Sequence, residues 1–204
     1  MRVYHFIDEE FGLKVLREKR LKISKIMELN DPFEFLGMEL SNPEFRKAMK
    51  STKKQLSKTK GILCFSKTWT NPVQWSHYAN NHKGICLGFD IPKNSLAKVN
   101  YVNERLAHDG HIDETLMTKF LTTKFSHWSY EQEYRAFLSL DEEEDGFYYL
   151  SFSENLNLRQ VIIGVRSSVT RAEVAKLVGK GVEAFKARVA FRSFKIVRNK
   201  NQEL

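Results

Sequence analysis

Two glutamates stand two residues apart in the segment HWSYEQEYRAFLSL, residues 127–140. Its alternation predicts a β-strand with Glu131, Glu133 and Arg135 on one face and a core face of aromatic and apolar residues on the other. The two carboxylates would project about 6–7 Å apart, because a strand rises about 3.3 Å per residue. A pair at this separation can hold and polarise one extended ligand. The alternative is a solvated strand face whose exposed ion pairs contribute about 0–1 kcal/mol each.

Three further stretches combine aromatic with polar side chains, and polar groups beside apolar surface are costly unless they are bonded or used. Core aromatics, a bonded strand histidine and a turn residue would explain the same residues in purely structural terms. The candidate site residues in these stretches are His5 in VYHFI, Asn30, Asp31 and Glu34 in NDPFE, and Trp75, Tyr78 and His82 in WSHYANNHKG.

The NDPFE motif is also typical of a helix start. Asp31 can act as the N-cap, Pro32 as the first helical residue, and Glu34 as the partner that completes a capping box. This interpretation leaves Asn30 without a role, so the motif stays open to a part in a binding site.

Other common catalytic motifs are missing from the sequence. The six histidines and two cysteines form no metal-binding pattern, and there is no GxGxxG, Walker or GxSxG motif. We therefore expect no metal dependence. Cys64 and Cys86 both lie in apolar stretches, which favours buried thiols in a reducing compartment.

The length of 204 residues suits one domain over residues 1–204. No apolar run approaches the roughly 20 residues that cross a bilayer, and the first residues lack a signal-peptide core. These features predict a soluble, cytoplasmic protein without a membrane partner.

Positive charge is concentrated near the end of the sequence. The chain carries a net charge of +8, and residues 159–200 alone carry +9, from eleven lysines and arginines against two glutamates. A second basic run of five lysines covers residues 50–60, whereas residues 141–145 are wholly acidic. Basic surfaces of this kind favour nucleic acid as a partner, although solubility alone would also explain them.

The periodicity of apolar residues predicts more strands than helices, and strands and helices do not alternate regularly along the sequence. The predicted class is therefore α+β, with a split, antiparallel-rich sheet and flanking helices. We predict strands over 3–7, 21–24, 61–66, 85–91, 99–104, 127–140, 147–152, 158–165 and 191–198, and helices over 9–19, 32 onward, 42–56, 72–79, 113–126 and 170–178.

Three motifs in order, NDPFE, WSHYANNHKGICLGFD and WSYEQEYR, resemble a bacterial family of domains of unknown function, number twenty-nine seventy-one in that series. The resemblance covers about residues 3–140. It implies a shared fold but no established activity.

A more distant similarity links the sequence to the ADP-ribosyltransferase fold, in which a histidine on the first strand is followed by a central aromatic or S-x-T and a late glutamate. The matching positions here are His5, then Tyr78 or the triplet with Ser66 and Thr68, then Glu133 with Glu131. This resemblance implies NAD as the substrate. Glu133 would stabilise the oxocarbenium-like transition state, and Glu131 would orient or deprotonate the acceptor.

The remaining candidates have supporting roles in this hypothesis. Trp75 or Tyr78 would stack on nicotinamide, His5 or a serine hydroxyl would hold a ribose, and His82 would close the aromatic cluster. Asn30, Asp31, Glu34 and Arg135 complete the set of site candidates.

Three functions follow as hypotheses. The first is an NAD-consuming ADP-ribosyltransferase, a toxin or phage-defence effector acting on nucleic acid or a nucleic-acid-bound protein. The second is a non-catalytic nucleic-acid-binding module that uses the basic C-terminal segment. The third is a metal-dependent nuclease using Asp31, Glu34, Glu131 and Glu133.

Overall fold

A computed structural model of the protein describes residues 1–107 and 114–201. Most of the strand pairings in these ranges are antiparallel and helices stand between them, which confirms the α+β class. The strands are β1 (Arg2–Ile7), β2 (Arg20–Lys25), β3 (Lys60–Ser66), β4 (Ile85–Asp90), β5 (Ala97–Lys98), β6 (Asn100–Val102), β7 (Thr123–Phe125), β8 (Glu133–Ser139), β9 (Tyr148–Ser151), β10 (Asn157–Ile163), β11 (Glu183–Val189) and β12 (Ile196–Arg198). The helices are α1 (Glu9–Glu18), α2 (Pro43–Thr59), α3 (Pro72–Tyr78), α4 (Glu114–Thr122) and α5 (Arg171–Leu177), with 3-10 turns at Ile26–Glu28, Lys93–Ser95 and Ser126–Glu131.

Contacts in the described part of the chain cluster into two compact units. The first unit contains Met1–Leu21, Phe65–Lys93 and Leu150–Leu204, and the second contains Lys22–Cys64 and Asn94–Tyr149. No helix in the described ranges has the length and apolar character needed to cross a membrane.

The first unit is built on a mixed sheet. β1 pairs antiparallel with β4 from Arg2↔Asp90 to Ile7↔Ile85, and β4 pairs antiparallel with β10. β10 then runs parallel to β11, which forms an antiparallel hairpin with β12. The apolar run of β4 is buried, as expected for a central strand.

Two helices of the first unit begin where their capping residues predict. The Asp8 side chain accepts a hydrogen bond from the Glu10 amide at the start of α1, at 2.8 Å. Thr170 and Glu173 form a capping box at the start of α5. These interactions confirm the helices predicted near 9–19 and 170–178.

The second unit packs α2 and α4 around an apolar cluster. Asn42 caps α2 by accepting from the Glu44 and Phe45 amides. The cluster contains Phe35, Phe45, Met49 and Phe120, with further apolar residues around it. β2 pairs with β3, β5 with β8, and β6 with β7.

The predicted strand over 127–140 is correct only in its second half. Residues Ser126–Glu131 form a 3-10 helix, and Gln132 adopts a left-handed conformation at φ 47° before β8 begins. The face with the charged residues is also buried rather than solvated, because its acids and bases neutralise one another.

The helix predicted from Pro32 is wrong. Asp31 does accept from the Phe33 amide, at 2.9 Å, but the segment is a turn and Phe35 has a positive φ of 62°. The Glu34 carboxylate does not complete a capping box, because it binds Arg135 and Lys124 instead.

Two further boundaries differ from the prediction. Of the strand predicted over 191–198, only Ile196–Arg198 is a strand, and β11 before it is not predicted from the sequence. The helix predicted over 113–126 ends at Thr122 and is followed by β7. Asp113 lies outside the described residues.

Candidate functional site

A buried group of charged side chains gathers in the second unit. Strand β8 places Glu133 and Arg135 on the same face, because they are two residues apart. Arg135 Nε donates to Glu133 Oε1 at 2.8 Å, and its Nη2 donates to Glu133 Oε2 at 3.0 Å. Both oxygens of Glu133 are therefore held by the same guanidinium, whose side chain is fully buried.

Arg135 also binds a residue distant in sequence. Its Nη2 lies 2.7 Å and 2.9 Å from the two carboxylate oxygens of Glu34, and its Nη1 donates to the Leu121 carbonyl at 2.9 Å. The turn of the NDPFE motif thus places the Glu34 carboxylate in the buried interior of the second unit, in contact with Arg135.

Lys124 on β7 joins the three carboxylates. Its Nζ lies 3.1 Å from Glu34 Oε1, 2.7 Å from Glu131 Oε2 and 3.1 Å from Glu133 Oε2. An ammonium has three donors, and three acceptors surround this one. We call Glu34, Lys124, Glu131, Glu133 and Arg135 the charged cluster.

Electrostatics favour the charged forms of Glu133 and Lys124. Burial disfavours the carboxylate of Glu133, but the charges of Arg135 and Lys124 outweigh this effect and lower its pKa. Burial likewise opposes the charge of Lys124, yet Glu133, Glu34 and Glu131 raise its pKa. Three acids against two bases leave the cluster with one excess negative charge.

Two uncharged side chains, Tyr101 and Cys64, lie next to the charged cluster. Tyr101 Oη accepts from the Glu133 amide at 2.8 Å, and burial raises the tyrosine's pKa. Burial and the negative charge of Glu133 raise the pKa of the Cys64 thiol well above its ordinary value. Cys86, in the first unit, is fully buried with a raised pKa, so the prediction of buried thiols holds for it, whereas Cys64 is half-buried.

A cavity of about 300 Å³ lies beside Lys124 in the second unit. Its walls are largely apolar and include Phe33, Leu36 and Phe125, with Arg105 among its polar lining residues. Phe33 and Phe125 are exposed aromatic side chains, a feature typical of ligand-binding surfaces.

Lys124 is a functional candidate that the sequence does not predict. It falls within the helix predicted over 113–126, and no local pattern marks a lysine whose partners lie on a turn, a 3-10 helix and another strand. The other two members of the NDPFE candidate set take no part in the ion pairs: Asn30 is exposed, and Asp31 caps its own turn.

The remaining predicted site residues lie in the first unit. Ser66 Oγ bonds the Thr68 carbonyl at 2.8 Å and accepts from the Gln74 side chain. Trp75 is buried and donates its indole N–H to the Trp69 carbonyl, at 2.6 Å.

The histidines and the tyrosine of the predicted site are partly exposed. The ring of His5 contacts that of Phe65, and Tyr78 contacts the ring of His77. His82 has a positive φ and its carbonyl accepts from the Arg166 amide, as expected for a turn residue. Glu131 and Glu133 belong to the second unit, whereas His5 and Tyr78, which the ADP-ribosyltransferase hypothesis requires beside them, belong to the first.

The basic C-terminal segment forms a distinct surface in the first unit. The tip of the β11–β12 hairpin, residues 190–195, displays Phe191 at 88% exposure and Phe194 at 98%. Arg188 lies over the Phe191 ring at 4.4 Å from its centroid, and Arg192 and Lys195 are exposed within the tip.

Residues 74–136 match the sequence model of a family described as a protein of unknown function, DUF2971. The match covers less than half of the chain and confirms the family resemblance over that segment. It includes Lys124, Glu131, Glu133 and Arg135, four of the five members of the charged cluster. No curated protein and no solved structure matches the chain. The similarity to ADP-ribosyltransferases therefore stays a prediction.

Proposed function

We propose that the protein binds single-stranded nucleic acid through the β11–β12 hairpin of its first unit. The observation that carries this proposal is the exposure of Phe191 and Phe194 among arginines and a lysine. Burying a phenylalanine side chain stabilises a fold by about 1.5–3 kcal/mol, and the tip gains almost none of this. The two exposed aromatic rings therefore contribute little to the stability of the fold, whereas they are well suited to stacking on bases.

The chemistry of the tip fits unpaired bases. Proteins that hold single strands combine cations along the backbone with aromatic rings on which bases stack, and this stacking tolerates any sequence. Arg188, Arg192 and Lys195 supply the cations within a few residues of both rings. A duplex offers no unstacked base to the rings, so the hairpin should favour single strands.

The test is fluorescence anisotropy with a labelled single strand and with the duplex of the same sequence. The double variant Phe191→Ala/Phe194→Ala should weaken single-strand binding by about 30-fold or more, taking the low end of about 1–3 kcal/mol per stacked base. Phe11→Ala removes another exposed ring of the first unit, on α1, and should leave the affinity unchanged. Equal binding by wild type and double variant would contradict the proposal.

A second candidate is NAD-consuming ADP-ribosyltransferase chemistry at the charged cluster, in a toxin or phage-defence effector. The cavity beside Lys124 favours it, because a small ligand there would lie near Glu131 and Glu133. The double contact between Glu133 and Arg135 argues against it, since that pair must open before the carboxylate can reach a ribose.

Nicotinamide release from NAD tests this candidate directly. Purified protein is incubated with NAD, with and without nucleic acid, and compared with Glu133→Gln. Release by wild type that the substitution abolishes would support the candidate, provided both proteins are folded. No release under either condition would reject it.

The charged cluster also bears on the nuclease hypothesis. Lys124 Nζ already occupies the centre of Glu34, Glu131 and Glu133, where a shared metal ion would have to bind. Within residues 1–107 and 114–201, no group of three or more histidine, cysteine or acidic side chains is arranged to hold a metal. No specific observation favours this third function.

A further inference from the structure

A second basic feature of the first unit is a pocket of about 360 Å³ that is lined in part by residues of β11 and β12. It lies where α5 begins and where β12 ends, so its lining comes from three elements. The lining residues are the cations Arg171, Lys186, Arg198 and Lys200, the amides Asn199 and Asn201, and the ring of Phe185.

Two of the four cations are held in place by the protein. Arg198 lies over the Phe185 ring, 4.5 Å from its centroid, and forms an ion pair with Glu183. Lys186 Nζ donates to the Ser167 carbonyl, an acceptor that fixes the ammonium without cancelling its charge. The pocket is therefore partly organised before any ligand arrives.

The other two cations, Arg171 and Lys200, are exposed at the pocket. Among the residues that the structure describes, the carboxylates that act on the lining are Glu183, paired with Arg198, and Glu9, whose charge acts on Lys186. Counting both against the four cations leaves a net charge of +2 on this described part of the pocket. An anion with two negative charges would match this balance.

Phosphate chemistry distinguishes two ligands. A phosphodiester within a strand carries one negative charge, whereas a phosphomonoester carries about 1.5–2 near pH 7 and offers three terminal oxygens. Four cations and two amide side chains around one pocket suit the second group better, because arginine, lysine and asparagine can donate to all three oxygens.

We propose that this pocket binds a phosphomonoester, the terminal phosphate of a nucleic-acid strand or of a free nucleotide. In its strand form the inference rests on the proposed function, and it adds recognition of a strand end to the stacking surface of the hairpin. The pocket itself needs no stacking, so its ligand can be tested separately.

The first experiment compares single strands of one sequence that end in a 5′-phosphate, a 3′-phosphate or hydroxyls only. Wild type should bind one of the phosphorylated strands at least about tenfold more tightly than the hydroxyl strand, the effect of one good charge-assisted contact. Arg171→Gln/Lys200→Gln should abolish this preference while it retains binding of the hydroxyl strand.

A charge-matched control separates the pocket from general attraction. Lys176→Gln/Lys180→Gln removes two exposed positive charges from the same unit, outside the pocket lining. This variant should keep the preference for the phosphorylated end. If it loses the preference as fully as the pocket variant, general electrostatics explain the effect and the inference falls.

The second experiment measures binding of a nucleoside 5′-monophosphate, its nucleoside and inorganic phosphate by calorimetry. Binding of the monophosphate without the nucleoside, lost in the pocket variant, supports a free nucleotide as ligand, even if no strand binds and the proposed function fails. Strand binding without any preference for a phosphorylated end, together with no monophosphate binding, overturns the inference and leaves the proposed function standing. If neither strands nor the monophosphate bind, both fail.

Discussion

At the scale of single residues, Arg135 links two buried carboxylates of the second unit. It is fully buried, and it neutralises Glu34 and Glu133 at the same time. Arg135→Met keeps most of the volume but leaves buried carboxylates short of a partner, so we expect a loss of about 3–5 kcal/mol in the free energy of unfolding. Urea unfolding followed by circular dichroism measures this.

The matched control is Arg2→Met in the first unit. Arg2 also forms a close pair with an acid, Asp90, but both side chains are partly exposed. Its loss should cost no more than about 1 kcal/mol. If both substitutions reduce the free energy of unfolding equally, burial does not determine how much the charged cluster contributes to stability.

The charges of the cluster also predict a pH dependence of stability. The pKa of Glu133 is lower in the folded protein, so its contribution is present above the unfolded value of about 4.3 and is lost as pH falls through the folded value. The pKa of Lys124 is raised, so its contribution is present below about 10.4 and is lost as pH rises through the folded value. Between about pH 5 and 10 Glu133 and Lys124 should add no slope to the dependence of stability on pH.

The unfolding midpoint in urea, measured from pH 2.5 to 10, checks this window. Glu133→Gln should reduce the fall in stability below about pH 4.5, because it removes one of the titrating carboxylates. Glu154→Gln, at an exposed position, should leave the acid limb unchanged. An acid limb that is identical in wild type and Glu133→Gln would contradict the lowered pKa.

At the scale of elements, the junction between the 3-10 helix Ser126–Glu131 and β8 places the carboxylates of Glu131 and Glu133 in contact with Lys124. Gln132 makes this junction with a left-handed backbone at φ 47°, a conformation that costs a residue with a side chain about 1–2 kcal/mol. Gln132→Gly should be neutral or stabilising, since glycine relieves this cost but loses more entropy on folding. Gln132→Val should lose at least about 1 kcal/mol, because a branched Cβ is least tolerated there.

Thermal unfolding of the two Gln132 variants provides the measurement, and each serves as the control of the other at a single exposed position. Variants that unfold at the same temperature would show that the left-handed junction carries no strain.

Local signals in the sequence predicted those elements whose causes are local. Apolar runs marked β1, β3 and β4, and the capping residues Asp8 and Thr170 marked two helices. The 3-10 helix before β8 has no such signal, because the alternation over 127–140 is typical of a strand; Glu131, at the end of this helix, binds Lys124 on the preceding strand. Arg135 and Glu34 are likewise 101 residues apart, so their pairing depends on the fold and not on spacing. The sequence predicted Glu131, Glu133 and Arg135 on one strand face and Glu34 as a separate candidate, but it did not predict that Glu34 and Lys124 join them in a buried cluster.

At the scale of the whole molecule, two of the positively charged surfaces belong to different units. One is the hairpin tip with Arg188, and the other is α2, whose Lys50, Lys54 and Lys58 are exposed. Only the first carries open aromatic rings among its cations, and net charge alone would not distinguish the two.

The salt dependence of single-strand binding separates these surfaces. Each phosphate that a cation neutralises adds about 0.7 to the slope of log affinity against log salt concentration. Arg188→Gln/Arg192→Gln/Lys195→Gln should therefore lower the slope by about 2, because three contacts are removed. The charge-matched variant Lys50→Gln/Lys54→Gln/Lys58→Gln should leave the slope close to that of wild type. Anisotropy titrations between about 50 and 200 mM salt give the slopes. A slope that falls only in the α2 variant would move the binding surface to the second unit, and a wild-type slope near zero would reject electrostatic binding to nucleic acid altogether.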